Sequence, residues 1–405
     1  MGRRKRRQRR KRDKKMDEGR RRDQDTVEII EEILRRPQIE ISQLRKVSAV
    51  RGLVNHRLRA RVWPMLLGID LENFDWGDYE RLGEMDHKDT PTVKADIPRS
   101  MHQFTDGLSD KSKEEKRAAL RRLLNAVVNY HDGDVHYYQG LHDIGAVLIL
   151  TVGERLAFPL ICKIATCQLR DCTRVNLDAV TELLRLIHPI VEMADPEVAT
   201  LLQVMGVPCY FSLSWFITWF SHDVHSLPDI ARLFDLFFSS HPMMPLYVGA
   251  AGIATAREEL VGLDEMCELH SALVNLNIGK YISTDDLIRK ALALYGQASP
   301  GRILRRCRMN LKCATAPDAF LNGDFWEVPD KPVKRNPLLM GDPVWWTMQT
   351  LTKGLVMSSQ KGTPISTLSM VGVGVAAVLL AFKVMDSHMQ GLQDHAWDSM
   401  FQSEL

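Results

Sequence analysis

Residues 120–128 read Leu-Arg-Arg-Leu-Leu-Asn-Ala-Val-Val, and this stretch decides the fold class. Leu120, Leu123, Leu124, Val127 and Val128 fall at i, i+3, i+4, i+7 and i+8, the spacing that gathers apolar side chains on one face of a helix. A half-buried strand would need strict alternation instead. The helical period recurs in both directions. Ile29, Ile30, Ile33 and Leu34 share a face upstream. Downstream, Val180, Leu183, Leu184 and Ile187 repeat it, with Pro189 expected to disrupt its continuation. Ile230, Leu233, Phe234 and Phe237 follow Ser226 as N-cap and Pro228 in the first turn. Leu287, Ile288, Ala291, Leu292 and Tyr295 form another face, led by Thr284 and the acids Asp285 and Asp286. No convincing run of alternating strands and no internal repeat breaks this pattern, which predicts an all-α domain over residues 26–296.

Composition supports a folded chain: 45% of residues are hydrophobic and 26% charged, which excludes global disorder. The net charge of +2 conceals an asymmetry. Residues 1–25 carry 14 Lys/Arg against 5 Asp/Glu, or +9, leaving −7 on the rest. Such a segment has nothing to bury, so it is expected to be a disordered polybasic tail. It reads in three ways: an electrostatic contact with anionic lipid, an arginine-rich run for RNA binding or nuclear import, or a solubility tail. The chain begins with Arg and Lys rather than an apolar run, so no secretory signal is expected. Its seven cysteines therefore read as reduced cytosolic thiols, mostly packing residues. Cys162, Cys167 and Cys172 lie five apart, which on a helix turns each about 140° from the last and away from a shared metal.

Past residue 296 the helical pattern fades. Residues 297–361 read as a linker punctuated by Pro300, Pro317, Pro329, Pro332, Pro337 and Pro343. Within it Trp345 and Trp346, with Met348, Leu351 and Leu355, either lie at a membrane interface or fold back on the domain. Gly362 to Phe382 is 21 residues without a charge between Lys361 and Lys383, long enough to span a bilayer as one transmembrane helix. Residues 383–405 then form a short lumenal tail with one Lys against Asp386, Asp394, Asp398 and Glu404. That bias keeps the N-terminal bulk in the cytosol, the geometry of a tail-anchored protein.

Several chemistries are absent. There is no GxxxxGK[ST] phosphate loop, no HExxH and no GxSxG, so the chain is not expected to bind nucleotide on its own account. Two segments stand out from the helical background. In Val93-Lys-Ala-Asp96-Ile-Pro-Arg99-Ser100, Pro98 is expected to push Ile97 out of helical geometry and let Arg99 project after a bend. Asp96 is placed to pair with that guanidinium or to cap a following turn. In His136-Tyr137-Tyr138-Gln139-Gly140-Leu141-His142-Asp143, Gln139 precedes an apolar helix, whose N-terminus favours phosphate.

Together these segments resemble the TBC (Tre-2/Bub2/Cdc16) domain of Rab GTPase-activating proteins. That family's IxxDxxR motif appears as Val93, Asp96 and Arg99, and its YxQG motif as Tyr137, Gln139 and Gly140, about forty residues on. Arg61-Val-Trp63-Pro64 is similar to the family's opening segment, Ser214-Trp215-Phe216-Ile-Thr-Trp219-Phe220 to its WF helix, and Arg232-Leu-Phe-Asp235 to its RxxD segment. The likeness covers roughly 52–250. Val93 for Ile, Ser100 for Thr and His142 for Asn are departures, and the last leaves the contacts around the helix start open.

The resemblance implies an activator of a Rab-family small GTPase in its GTP form. Arg99 and Gln139 would be the catalytic pair, an arginine and a glutamine supplied in trans, with Asp96, Tyr137 and Gly140 supporting them. GTP and magnesium would belong to the partner, leaving this chain no cofactor of its own. The expected place is the endoplasmic reticulum or early Golgi membrane, with the catalytic domain in the cytosol. Trp63, Trp215, Trp219 and Phe220 read as core, Arg232 and Asp235 as an internal ion pair, and His142 and His241 as hydrogen-bonded structural histidines. A membrane-tethered Rab scaffold without catalysis is the alternative, and a nucleic-acid partner is not expected.

Overall fold

Five helices start where a polar side chain turns back onto free amides. Asn55 accepts from the Leu58 amide at 2.9 Å, Ser109 from Ser112 at 3.3 Å, and Asp195 from Glu197 and Val198 at 3.1 Å. Ser226 accepts from Asp229 at 3.4 Å and Ser283 from Asp286 at 3.3 Å. Each satisfies one, or for Asp195 two, of the four amides that a helix start leaves open. The computed structural model describes residues 2–309 apart from 78, together with 311 and 313–315, and gives the backbone alone for 2–16 and 103.

The described residues are helical, with no strand among them. In chain order come α1 (Gly2–Arg35), α2 (Ile41–Arg51), α3 (His56–Leu66), α4 (Tyr79–Glu84), α5 (Thr90–Asp96) and α6 (Asp110–Tyr130). Then follow α7 (Leu141–Val152), α8 (Glu154–Thr166), α9 (Asp178–Leu184), α10 (Ile187–Ala194), α11 (Pro196–Val204) and α12 (Leu213–Ile217). The last six are α13 (Leu227–Phe238), α14 (Met244–Thr255), α15 (Arg257–Leu260), α16 (Met266–Val274), α17 (Thr284–Gln297) and α18 (Pro300–Arg306).

The α6 stripe from Leu120 to Val128 is buried, and the helix packs on α4, α7 and α8. A second group forms around α14, which touches α10, α12 and α17. Helix α13 joins the two groups by contacting α2, α3, α7 and α17. At that junction the Trp63 ring meets Phe238 edge-on at 4.8 Å, and Trp219 meets Phe234 at 5.4 Å. Trp63, Trp215, Trp219 and Phe220 are all at most 1% exposed, as aromatic rows on apolar faces predict.

Four local expectations are corrected. Helix α1 includes residues 2–25, where composition predicts disorder. Residues 17–25 are indeed all exposed, but Arg and Lys are good helix formers and no proline precedes Pro37. The break near Pro189 falls earlier, at Arg185–Leu186, and Pro189 is the third residue of α10. A proline ring clashes with the carbonyl four residues back and tolerates the first turn, where its missing amide costs nothing. Ile97 remains helical at φ −54° and ψ −48°, so Arg99 ends a helical run and the chain turns extended only at Ser100. Finally, the ordered domain continues past 296. Pro300 opens α18 rather than a linker, Ile303, Leu311 and Ala314 are buried, and Asp171 and Glu182 accept the amides of Cys313, Ala314 and Thr315 at 2.7–3.0 Å.

No helix among the described residues is long and apolar enough to cross a membrane. The segment 362–382, the Trp345–Trp346 segment, most of the linker and the tail 383–405 lie outside the described residues.

Candidate functional site

The two segments singled out in the sequence meet through one carboxylate. Helix α5 passes into a single 3₁₀ turn, Ile97–Arg99, closed by the Ser100 hydroxyl donating to the Asp96 carbonyl at 2.8 Å. That turn leaves the Arg99 side chain 59% exposed while Asp96 beneath it is 1% exposed. Asp96 Oδ1 receives the Arg99 guanidinium, and Oδ2 receives the Tyr137 hydroxyl at 2.6 Å. Thus a buried acceptor joins Arg99 to a tyrosine 41 residues further along the chain than the acid itself, and the exposed arginine is fixed from below. Burial, then the neighbouring Asp96 charge, pushes the Tyr137 phenol well above its usual range, so it serves as a hydroxyl donor.

The glutamine segment is pinned on several sides. The His136 amide donates to Thr173 at 2.8 Å, the Tyr137 amide to Asp89 Oδ2 at 3.1 Å, and the Tyr138 hydroxyl to the Ile217 carbonyl at 2.8 Å. Gly140 precedes α7 at φ +123°, a left-handed conformation that side chains disfavour, and a Cβ there would stand 3.0 Å from Thr218 Cγ2. Gln139 is therefore held, partly exposed, immediately before the first turn of α7.

A third element, absent from the sequence reading of the site, forms its far wall. The expected WF helix ends early: α12 stops at Ile217, and Trp219 and Phe220 adopt φ 51° and 64° in a tight turn. Two consecutive left-handed aromatic residues are strained, and their full burial, with Phe220 stacked on Trp215 at 5.8 Å, opposes that strain. The turn carries His222, whose Nδ1 lies 3.5 Å from Asp143 Oδ2 in the first turn of α7. The bond to Asp143 raises the His222 pKa, while burial and, more weakly, the Arg99 charge oppose it. Beside it Asp223 is pushed up to about 6 by burial, although the Ser214 hydroxyl donates to it at 2.9 Å. The signal for this wall was local: Asp143 is an acid in the first turn of the helix that Gln139 precedes.

The remaining motif residues lie elsewhere. Arg232 and Asp235 do not form the expected ion pair. Asp235 takes four donors from other partners: Arg59 at 3.0 and 2.9 Å, the Trp63 indole at 2.9 Å and the Leu53 amide at 2.9 Å. Arg232 instead pairs with Asp285 at 3.0 Å and donates to the Ser48 and Ala49 carbonyls. Three residues along a helix share a face only approximately, and here each side chain finds a different helix. Arg61 is also outside this cluster; it pairs with Glu31 at 2.5 Å, while Arg59, overlooked in the sequence, supplies the buried guanidinium. Trp63 and Trp215 are core, and Trp219 supports the site only through its turn. His142 is buried against Tyr137, and His241, where the Met243 amide donates to Nδ1 at 3.1 Å, is pushed down to about 3 by burial. Among the described residues no cluster of His, Cys, Asp or Glu could hold a metal.

Comparison with known proteins matches the chain to one family. The Rab-GTPase-TBC domain profile matches residues 56–261, which include all three walls of the site. TBC1 domain family member 20 from Mus musculus is 29% identical over 385 residues, covering 94% of this chain and 92% of that one. The GTPase-activating protein gyp10 of Schizosaccharomyces pombe is 33% identical over 212 residues, 52% of this chain and 56% of its own. The fold is also similar to the crystal structure of the Ypt/Rab-GAP domain of Gyp1p, with a TM-score of 0.57 at 16% identity, covering 68% of this chain and 99% of that one.

Proposed function

This chain belongs to the Rab-GTPase-TBC domain family, and on that premise we propose that it is a Rab GTPase-activating protein acting through Arg99 and Gln139. The observation that carries the reading is the Asp96 carboxylate, which holds Arg99 with one oxygen and Tyr137, two residues before Gln139, with the other. An exposed guanidinium fixed by a buried acid is preorganised for a charge that arrives from outside the chain.

GTP hydrolysis spreads negative charge over the transferred phosphoryl group and the leaving oxygen. An arginine supplied in trans offsets that charge and is worth about 10³–10⁵ in rate, or roughly 4–7 kcal/mol of barrier. Arg99 takes this role, its planar fork reaching two oxygens at once. Gln139, at the start of α7, supplies the carboxamide that orients the attacking water. GTP and magnesium come with the partner GTPase. The uncharged run 362–382 would hold the chain to a membrane, which this reading places in the early secretory pathway, with the basic segment 1–25 adding attraction to anionic lipid.

The test is single-turnover GTP hydrolysis across a panel of purified Rabs with the full chain, as wild type, Arg99→Ala, Arg99→Lys and Gln139→Ala. Acceleration of one or a few Rabs is expected, falling at least about a hundredfold in all three variants. Rab binding without acceleration by the wild type would leave a tethered scaffold in place of an activator.

A further inference from the structure

Both oxygens of Asp96 are committed, one to Arg99 and one to the Tyr137 hydroxyl at 2.6 Å. A phenol has a single proton, and a carboxylate is its strongest competitor. The Tyr137 oxygen also lies 2.8 Å from Nδ1 of His142, a ring 7% exposed at the second residue of α7. With the hydroxyl proton directed at Asp96, that short contact is a hydrogen bond only if Nδ1 brings a proton of its own. The Gly140 amide points its N–H at the same nitrogen at 3.3 Å, a competing bond, since one nitrogen cannot both donate to Tyr137 and accept from Gly140. The shorter contact, in line with a charge-assisted bond, decides between them.

We infer that His142 is a positioning residue for Arg99: Nδ1–H donates to Tyr137, Tyr137 donates to Asp96, and Asp96 holds the guanidinium. The chain gives the hydroxyl a direction. Without the ring proton the Tyr137 hydroxyl can turn toward Nδ1, and Asp96 loses the bond that fixes its plane. The other faces of the ring agree with a role between two acids. Nδ1 is 3.6 Å from Asp96 Oδ2, and Nε2 is 3.5 Å from Asp143 Oδ1, whose second oxygen meets His222. Polar groups thus run from Arg99 through Asp96, Tyr137, His142 and Asp143 to His222, buried in the middle and exposed at both ends.

The kinetic part of this inference rests on the activity proposed above, and its structural part does not. In the full chain, ¹⁵N NMR of the His142 ring is expected to show a protonated Nδ1 whose signal moves in Tyr137→Phe. A bare Nδ1 overturns the inference whether or not any Rab is accelerated. In single-turnover GTP hydrolysis, Tyr137→Phe and His142→Ala are each expected to lower the saturating rate about ten- to a hundredfold with little change in the half-saturating concentration. His142→Asn, whose carboxamide can donate in the same place, should recover most of that loss. In an Arg99→Ala background His142→Ala should cost nothing further, because its effect passes through the arginine. An equal loss with and without Arg99, or an Asn variant no better than Ala, would show a structural role alone. A wild type that accelerates no Rab would remove the proposed activity, leaving the ring proton to decide this one.

Discussion

At the scale of single residues, the molecule separates charges that act inside from charges that act outside. Asp235 is fully buried, yet it accepts from the Arg59 guanidinium twice, from the Trp63 indole and from the Leu53 amide. A buried carboxylate is tolerable only with its lone pairs filled, and four donors fill them. Asp235→Ala leaves Arg59 charged and unpaired in the core, and is expected to cost about 3–5 kcal/mol in chemical denaturation. Arg232→Ala should cost less, since its partner Asp285 is 41% exposed and solvent can replace the pair. Equal losses in the two variants would contradict this division. Asp96 is the same device turned to another use: a buried acid whose guanidinium partner is left 59% exposed. The sequence showed that Asp96 and Arg99 were three apart and could pair. It could not show that Asp235 would choose Arg59, 176 positions away, over Arg232 on its own helix.

At the scale of elements, close approach of helices sets what can be changed. Helix α14 carries Gly249 against the indole of Trp215, where a Cβ would stand 2.8 Å from Cε3 and 3.2 Å from Cζ3. Alanine favours a helix over glycine by about 1 kcal/mol, but overpacking against a rigid ring costs about 1–3 kcal/mol. Gly249→Ala is therefore expected to be net destabilising, and a raised unfolding midpoint would refute the packing argument. The same indole stacks on Phe220, so a shift there also bears on the strained turn behind Gly140 and Asp143. Helix existence was legible throughout, because a 3.6-residue stripe is a local property. Ends were less so. Pro189 and Pro300 each signalled an interruption, yet both sit in first turns, where proline is accepted. Conversely Trp219 and Phe220 continue an apolar run, and only the packing around them bends the backbone into left-handed geometry.

At the scale of the whole molecule, the domain closes with a segment that resembled a linker. Helix α18 buries Ile303, and the chain after it lays Leu311 and Ala314 into the core while Asp171 and Glu182 take its amides. A chain ending at 296 loses these contacts and is expected to unfold at a lower midpoint than one ending at 315. Ile303 and Leu311 alone account for about 1.5–3 kcal/mol each. Equal stability of the two lengths would show that residues 297–315 add nothing to the domain. The loop holding Asp171 also carries Thr173, whose carbonyl accepts from His136, so the C-terminal clasp and the glutamine segment rest on one support. The helical class, the two motif segments and the buried aromatic rows were determined by the sequence alone, because periodicity, punctuation and motif spacing are properties of neighbours along the chain. Which carboxylate holds which guanidinium, how the third wall reaches Asp143 and where the domain ends were decided only by the tertiary structure. Those are choices among partners far apart in sequence, settled by burial, since an acid removed from water must take whichever donors the packing brings to it.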